Sequence, residues 1–261
     1  SKYLYNGAFK NRKERKMYKL DKKIFPSKNG QNRAFWYRKE TNDWNTIWAA
    51  FVEDEYGLAD LDFKEGDVVL DIGAYLGAVT LLLTTIRPDL RIYAFEPDAN
   101  NFDLLRKNVR ELDYKGEINI FKEAVWFEDD DTVRLYYGDN SENGKIHKFV
   151  GSQFILRSFY RKNLFYKVHT MSLSKIFEEN HIISCRLIKM DVEGAEYGIL
   201  KGAPKGVLEM IQEIRGEYHN IEPDRIKFPR QTLLDQTKGV FKDETGQPEK
   251  GNLGPFVFKK I

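Results

Sequence analysis

The chain has 261 residues, a length that one α/β domain can fill or two smaller domains can share. Its 41% hydrophobic residues, with 18 Phe, 14 Tyr and 4 Trp to bury, exclude a disordered chain, and its single cysteine, Cys185, excludes an intrachain disulfide framework and a Cys-rich zinc site. The net charge of +2 is unevenly spread: residues 1–40 hold 13 Lys/Arg against 3 Asp/Glu, leaving 29 against 37 in the rest.

The most apolar stretch, Val68 to Ile86, is interrupted by Asp71, Gly73 and Gly77, so it reads as strand, loop and helix rather than a membrane span. The basic N-terminus lacks the apolar core of a signal peptide. Both readings point to a reducing, cytoplasmic setting with no transmembrane segment.

The basic block Lys10 to Lys16 reads as a solvated arm able to attract phosphates or anionic surfaces. Thr41, Asn42 and Asp43 then cap a helix expected to run through Trp44, Ile47, Trp48, Phe51 and Val52 and to stop at Gly57, because its apolar positions recur at three and four. Residues 1–60 are thus expected as a basic, helical extension that packs on the domain as a lid or brace.

From residue 65 strands and helices alternate. Strands are expected at 67–71, 91–95, 117–125, 132–137, 165–170, 186–191 and 210–218, and helices at 78–86, 100–112, 172–180, from 195 and at 224–237. Terminal strands near 240–241 and 255–259 are expected to run antiparallel. The pattern predicts an α/β fold, a doubly wound, mostly parallel, seven-stranded Rossmann-like sheet occupying 61–261, with 138–170 a substrate-side insertion. In such a sheet the ligand sits outside the carboxyl ends of the strands.

The first strand exits as Asp71-Ile72-Gly73-Ala74-Tyr75-Leu76-Gly77 and the second as Phe95-Glu96-Pro97. Gly73 permits a tight turn, Gly77 lets the next helix approach, and Glu96 can accept both hydroxyls of a ribose. A dinucleotide site would need glycine where Tyr75 stands, and Asp71 would repel a pyrophosphate. S-adenosylmethionine, with its ammonium and sulfonium, suits that acid better, which disfavours an NAD-dependent oxidoreductase. Ala124 and Val125, at the third exit, leave room for an adenine. Asp191, Glu193 and Glu196 crowd the exit of the 186–191 strand. Helix capping accounts for the two glutamates better than for Asp191.

These residues resemble FkbM-type methyltransferases, S-adenosylmethionine-dependent enzymes of class I, in three stretches: Val69 to Gly77, Val168 to Leu173, and Leu187 to Glu196 followed by Ile199 to Ala203. Phe95-Glu96-Pro97 also fits, and the likeness spans about residues 65–220. It implies O-methylation of a sugar or secondary metabolite. It further implies that the Asp71–Gly77 turn, with Gly73, Ala74 and Tyr75, lines the methionine side of the cofactor. Glu96 and Pro97 then face the ribose, Ala124 and Val125 the adenine, and Asp191 the transferred methyl.

Methyl transfer to an alcohol gains from a base, and Asp191 is the first candidate, with Glu217 and His219 from the neighbouring strand exit. Asp191 with Glu217, His219 or Asn220 could instead hold a divalent cation, Mg²⁺ or Ca²⁺, which would lower the acceptor pKa. The acceptor is expected to be a small molecule or glycan. Two other functions compete: a nucleic-acid methyltransferase that uses residues 1–40 and their aromatics, and a non-catalytic nucleotide-binding scaffold. The intact Asp71, Gly73, Gly77, Glu96 and Asp191 argue against the scaffold.

Overall fold

The computed structural model describes residues 18–129, 132–136, 149–150, 165–220, 226–249 and 251–261. The basic block 10–16 and most of the 138–170 insertion lie outside them.

Leu20–Pro26 (β1) and Asn32–Arg38 (β2) form an antiparallel hairpin whose turn holds Gly30 at φ 82°. Sequence reading placed no strand here. Alternation turns Phe25 and Phe35 inward, 1% and 0% exposed, and Phe35 packs edge-on to Phe51 at 5.0 Å. Several cations of this region are engaged within the fold: Arg38 pairs with Asp43, Lys39 with Asp21, Lys22 with Glu111, and Arg33 donates to the Thr84 carbonyl. The described part of residues 1–40 is therefore packed on the domain, while the block expected as an arm lies outside the described residues.

The expected Trp-rich helix is short. Asp43–Ile47 (α1) passes into a π-helical turn, Trp48–Val52, and Asp54 ends it at φ 53°. The Asp54 carboxylate accepts from the amides of Leu58 and Ala59, fixing the exit. Ile47, Phe51 and Leu58 share one core with Val69, Val79 and Leu82, so the extension and the sheet bury a common apolar face.

The main sheet begins with Val68–Ile72 (β3), buried at every position as a central parallel strand requires. Ala78–Ile86 (α2) follows, and Arg87 is extended at its end because Pro88 disfavours helix before it. Arg91–Phe95 (β4) leads to Ala99–Arg110 (α3), whose cap Asp98 accepts from the amides of Asn100 and Asn101. The expected 117–125 strand divides. Glu117–Phe121 (β5) stays at the sheet edge, half-exposed, while the buried Ala124–Val125 (β6) leaves for a second sheet.

That second sheet has the order β6-β9-β7-β8, with Thr132–Tyr136 (β7), Phe149–Val150 (β8) and Phe165–Met171 (β9). β7 runs antiparallel to β9. Ser172 caps Leu173–Glu179 (α4) through its side chain. Leu187–Met190 (β10), Glu196–Gly202 (α5), Lys205–Glu209 (α6), Glu213–His219 (β11), Pro229–Asp235 (α7), Phe241–Asp243 (β12) and Leu253–Lys260 (β13) complete the chain.

The main sheet is ordered β12-β13-β11-β10-β3-β4-β5, seven strands, with only β13 antiparallel to its neighbours. The fold is thus the mostly parallel Rossmann-like α/β sheet expected from the sequence. Chain order reverses between β3 and β10, which opens a crevice at their carboxyl ends. Among the described residues no helix is long and apolar enough to cross a membrane.

Candidate active site

A cavity of about 360 Å³ occupies that crevice. One wall is the β3 exit. Gly73 holds φ 79°, and a Cβ there would lie 2.0 Å from the Asp191 carbonyl oxygen. The glycine is therefore demanded by the close approach of the β10 exit as well as by the turn. Tyr75 follows at φ 52°, a left-handed position uncommon outside glycine. Its amide donates to Glu96 over 2.8 Å, and its hydroxyl to Asp43 over 2.6 Å.

Glu96, at the β4 exit, is 4% exposed and lines the cavity. It accepts from the amides of Tyr75 and Asp98, both at 2.8 Å. Burial, reinforced by the Asp98 charge, pushes its carboxyl up to about 8 in spite of these donors. Pro97, Ala124 and Val125 continue the wall beside it, and Ile72 and Phe95 add apolar surface.

The opposite wall carries the carboxylates. Asp191 accepts from the Tyr56 hydroxyl at 2.7 Å. His219 Nε2 lies 3.9 Å from Asp191, 3.6 Å from Glu193 and 3.5 Å from Glu217, while Nδ1 sits 3.0 Å from the fully buried Glu196. Burial alone would lower the imidazole pKa, but Glu196 and the other acids raise it to about 9. Donor atoms of Asp191, Glu217 and His219 lie within 4.8 Å of one another, a set with the chemistry to hold a divalent cation.

Lys189 pairs in register with Asp71 across β10 and β3. Its ammonium, on a residue 3% exposed, donates to the Gly73 carbonyl at 2.8 Å and lies 3.4 Å from Asp71 and 5.3 Å above the Tyr56 ring. Burial disfavours that charge, yet Asp71 and Asp191 hold its pKa above the usual lysine value.

The cavity thus gathers Gly73, Ala74, Tyr75, Glu96, Pro97, Ala124, Val125, Asp191 and Glu217 of the residues expected in the site. His219 stands behind its acidic wall. Three other expected residues stand outside the lining. Asp71 is fully buried, and its carboxylate meets Thr80 at 2.7 Å and Lys189, so it supports the turn from beneath instead of lining the cavity. Gly77 is also outside the lining; a Cβ there would meet Leu105 of α3 at 2.8 Å, so its role is helix packing. Asn220 donates to the Ile226 carbonyl and to Asn252, so of the two expected alternatives it is His219 that stands with Asp191 and Glu217 in the candidate cation set.

Tyr56, Lys189 and the extension's Asn42, Asn45 and Thr46 line the cavity without having been foreseen. A lysine inside the apolar run Leu187 to Met190 signals a buried pair. The extension residues carry no such local signal, since only the tertiary fold brings them to the β10 exit.

The chain matches the Methyltransferase FkbM domain over residues 71–240. It is 22% identical over 179 residues to the 31-O-demethyl-FK506 methyltransferase FkbM of Streptomyces tacrolimicus, across 62% of this chain and 69% of that protein. To the 2-O-methyltransferase NoeI of Sinorhizobium fredii it is 28% identical over 180 residues, across 66% and 71%. Against fibrillarin of Aeropyrum pernix, crystallised with natively bound S-adenosyl-L-methionine, the TM-score is 0.46 at 15% identity, covering 91% of this chain and 82% of that one. The domain match begins at the acid of β3, ends one residue before β12 and takes in both walls of the cavity, and the chain accordingly belongs to the FkbM family of S-adenosylmethionine-dependent methyltransferases.

Proposed function

We propose that the protein methylates a hydroxyl oxygen of a small-molecule or glycan acceptor, with Asp191 as the proton acceptor. The observation that carries this reading is one continuous cavity that joins the Gly73 turn and Glu96 to the Asp191 carboxylate. Names of the two relatives, both O-methyltransferases, support the oxygen acceptor.

The residues fit the cofactor. Glu96 offers a buried carboxylate for ribose hydroxyls, Ala124 and Val125 offer an apolar border for adenine, and the Gly73–Tyr75 backbone borders the remaining space. When bound, S-adenosylmethionine supplies an electrophilic methyl group. The protein's own work is to orient the acceptor and take its proton. Tyr56 donates to Asp191 Oδ2, and Oδ1 lies 3.9 Å from His219 Nε2. Asn42, Asn45 and Thr46 offer amide and hydroxyl groups to an acceptor from the extension side. We read residues 1–60 and the 138–170 insertion as the acceptor-facing parts around the 61–261 domain. The single, buried Cys185 suits a reducing cytoplasm.

Methyl-labelled S-adenosylmethionine, offered with a panel of mono- and oligosaccharides, polyketide alcohols and RNA, tests the proposal. Label recovered as a methyl ether on a sugar or alcohol is the expected outcome. Label on RNA bases alone, or on nitrogen alone, would overturn it.

A further inference from the structure

Arg38 ends β2, 6% exposed, and does not line the cavity. Its guanidinium nevertheless reaches both residues that hold Glu96 from that side. It forms a two-point pair with Asp43, at 2.9 Å through Nε and 2.9 Å through Nη2. The same Nη2 lies 3.0 Å from the Tyr75 hydroxyl and 2.9 Å from the Asn101 side-chain oxygen. Tyr75 then gives its amide to Glu96 Oε2, and Asn101 turns its side-chain nitrogen toward Glu96 Oε1 at 3.4 Å.

Each link has a physical consequence. An asparagine amide can flip, exchanging oxygen for nitrogen with little change in shape. A guanidinium donates only, so Arg38 fixes the Asn101 oxygen on its own side and leaves the nitrogen for Glu96. Tyr75 is a non-glycine residue in the left-handed region, where the backbone persists only if its surroundings hold it. Arg38 and Asp43 hold its hydroxyl, and the guanidinium lies 5.4 Å from its ring centroid.

We infer that Arg38 is a positioning residue of the cofactor site: through Tyr75 and Asn101 it sets the Glu96 carboxylate to receive ribose hydroxyls. This rests on the reading that Glu96 faces the ribose. It makes the hairpin a support of the cofactor site although none of its residues lines the cavity.

The test is a double-mutant cycle read by calorimetric titration with S-adenosylhomocysteine, using Arg38→Gln, Glu96→Gln and the double variant, with melting curves beside it. Arg38→Gln should weaken binding about tenfold in the wild-type background, the scale of a lost charged hydrogen bond. In the Glu96→Gln background the same change should cost less than about twofold, because its target is gone. Tyr75→Phe keeps the Arg38–Asp43 pair and removes one link only, so it guards against a variant that fails to fold; it should weaken binding several-fold. Equal factors in both backgrounds, or a lowered melting temperature with unchanged affinity in Arg38→Gln and Tyr75→Phe, would overturn the inference while leaving Glu96 on the ribose. Wild-type affinity in Glu96→Gln would overturn the ribose reading itself.

Discussion

The hydroxyl of Tyr56 and the carboxylate of Asp191 meet at 2.7 Å although 135 residues separate them in the chain. The tyrosine comes from the loop after the π-helical turn and the aspartate from the exit of β10. The extension therefore supplies a partner to the proposed proton acceptor. Burial and the Asp191 charge hold the phenol well above its usual pKa, so it stays protonated and donates.

Asp191→Asn keeps the shape and removes the charge. Turnover should fall by roughly 10² or more, the scale of a lost general base. Binding of S-adenosylhomocysteine should stay within a few-fold, because Glu96 is untouched. Steady-state rates beside calorimetry check both. Wild-type turnover in the variant would exclude Asp191 as base, and activity lost to EDTA but restored by Mg²⁺ would move the aspartate to a metal-binding role.

Glu96 gives a pH signature. In the folded chain it holds its proton up to about 8, against an ordinary value of 4.5. The folded state is therefore favoured by this group below pH about 4.5, and the advantage is lost as the pH climbs to about 8. The melting temperature of the cofactor-free wild type should fall relative to Glu96→Ala between pH 5 and 8 and then run level with it. Parallel curves across that window would contradict the buried ionisation.

Lys189 and Asp71 should respond as a pair. Lys189→Met strands the fully buried Asp71 and should cost about 3–5 kcal/mol, the scale for breaking one side of a buried ion pair. Lys189→Met combined with Asp71→Leu should recover much of that loss in denaturant titration. A double variant as unstable as the sum of the two single changes would show that the ions matter separately.

Removal of residues 1–40 should destabilise the whole domain. Phe25 and Phe35 are buried against the core that Val69 and Leu82 also build, and deleting one such side chain costs about 3–5 kcal/mol. Thermal denaturation of the truncated chain checks this. A truncated protein with the full melting temperature and intact S-adenosylhomocysteine binding would show that the hairpin is dispensable.

Much of the fold was legible in the sequence because the central strands are short apolar runs ended by an acid or a glycine, and several helices carry a cap or stop, such as Asp98, Ser172 and Pro88. Ala78 to Ile86 and Arg91 to Phe95 were placed at their observed ends for this reason. The hairpin was not legible: Lys22, Lys23, Arg33 and Arg38 break its apolar pattern, and the exposed Ile24 and half-buried Trp36 blur the alternation that Phe25 and Phe35 mark. The Gly73 turn, Glu96 and Asp191 were legible as strand exits. The pairing of Asp71 was not legible, because a sequence shows an acid at a strand end but not the lysine in register on the next strand. Tyr56 and Asn45 were missed because long-range packing brings them to the cavity, and Arg38 because packing alone brings it to Tyr75 and Asn101, with no spacing to announce either.

The missing side chain at Gly73 leaves its backbone against the Asp191 carbonyl, with no room between them for even a methyl group. Main-chain contact thus fixes the separation of the cofactor turn from the proposed base, and side-chain exchange elsewhere cannot tune it. Asn42, Asn45 and Thr46 reach the cavity from a different element and are under no such constraint. If those three residues face the acceptor as proposed, library selection at them for new alcohols should change acceptor choice, with the reacting distance left as the backbone sets it.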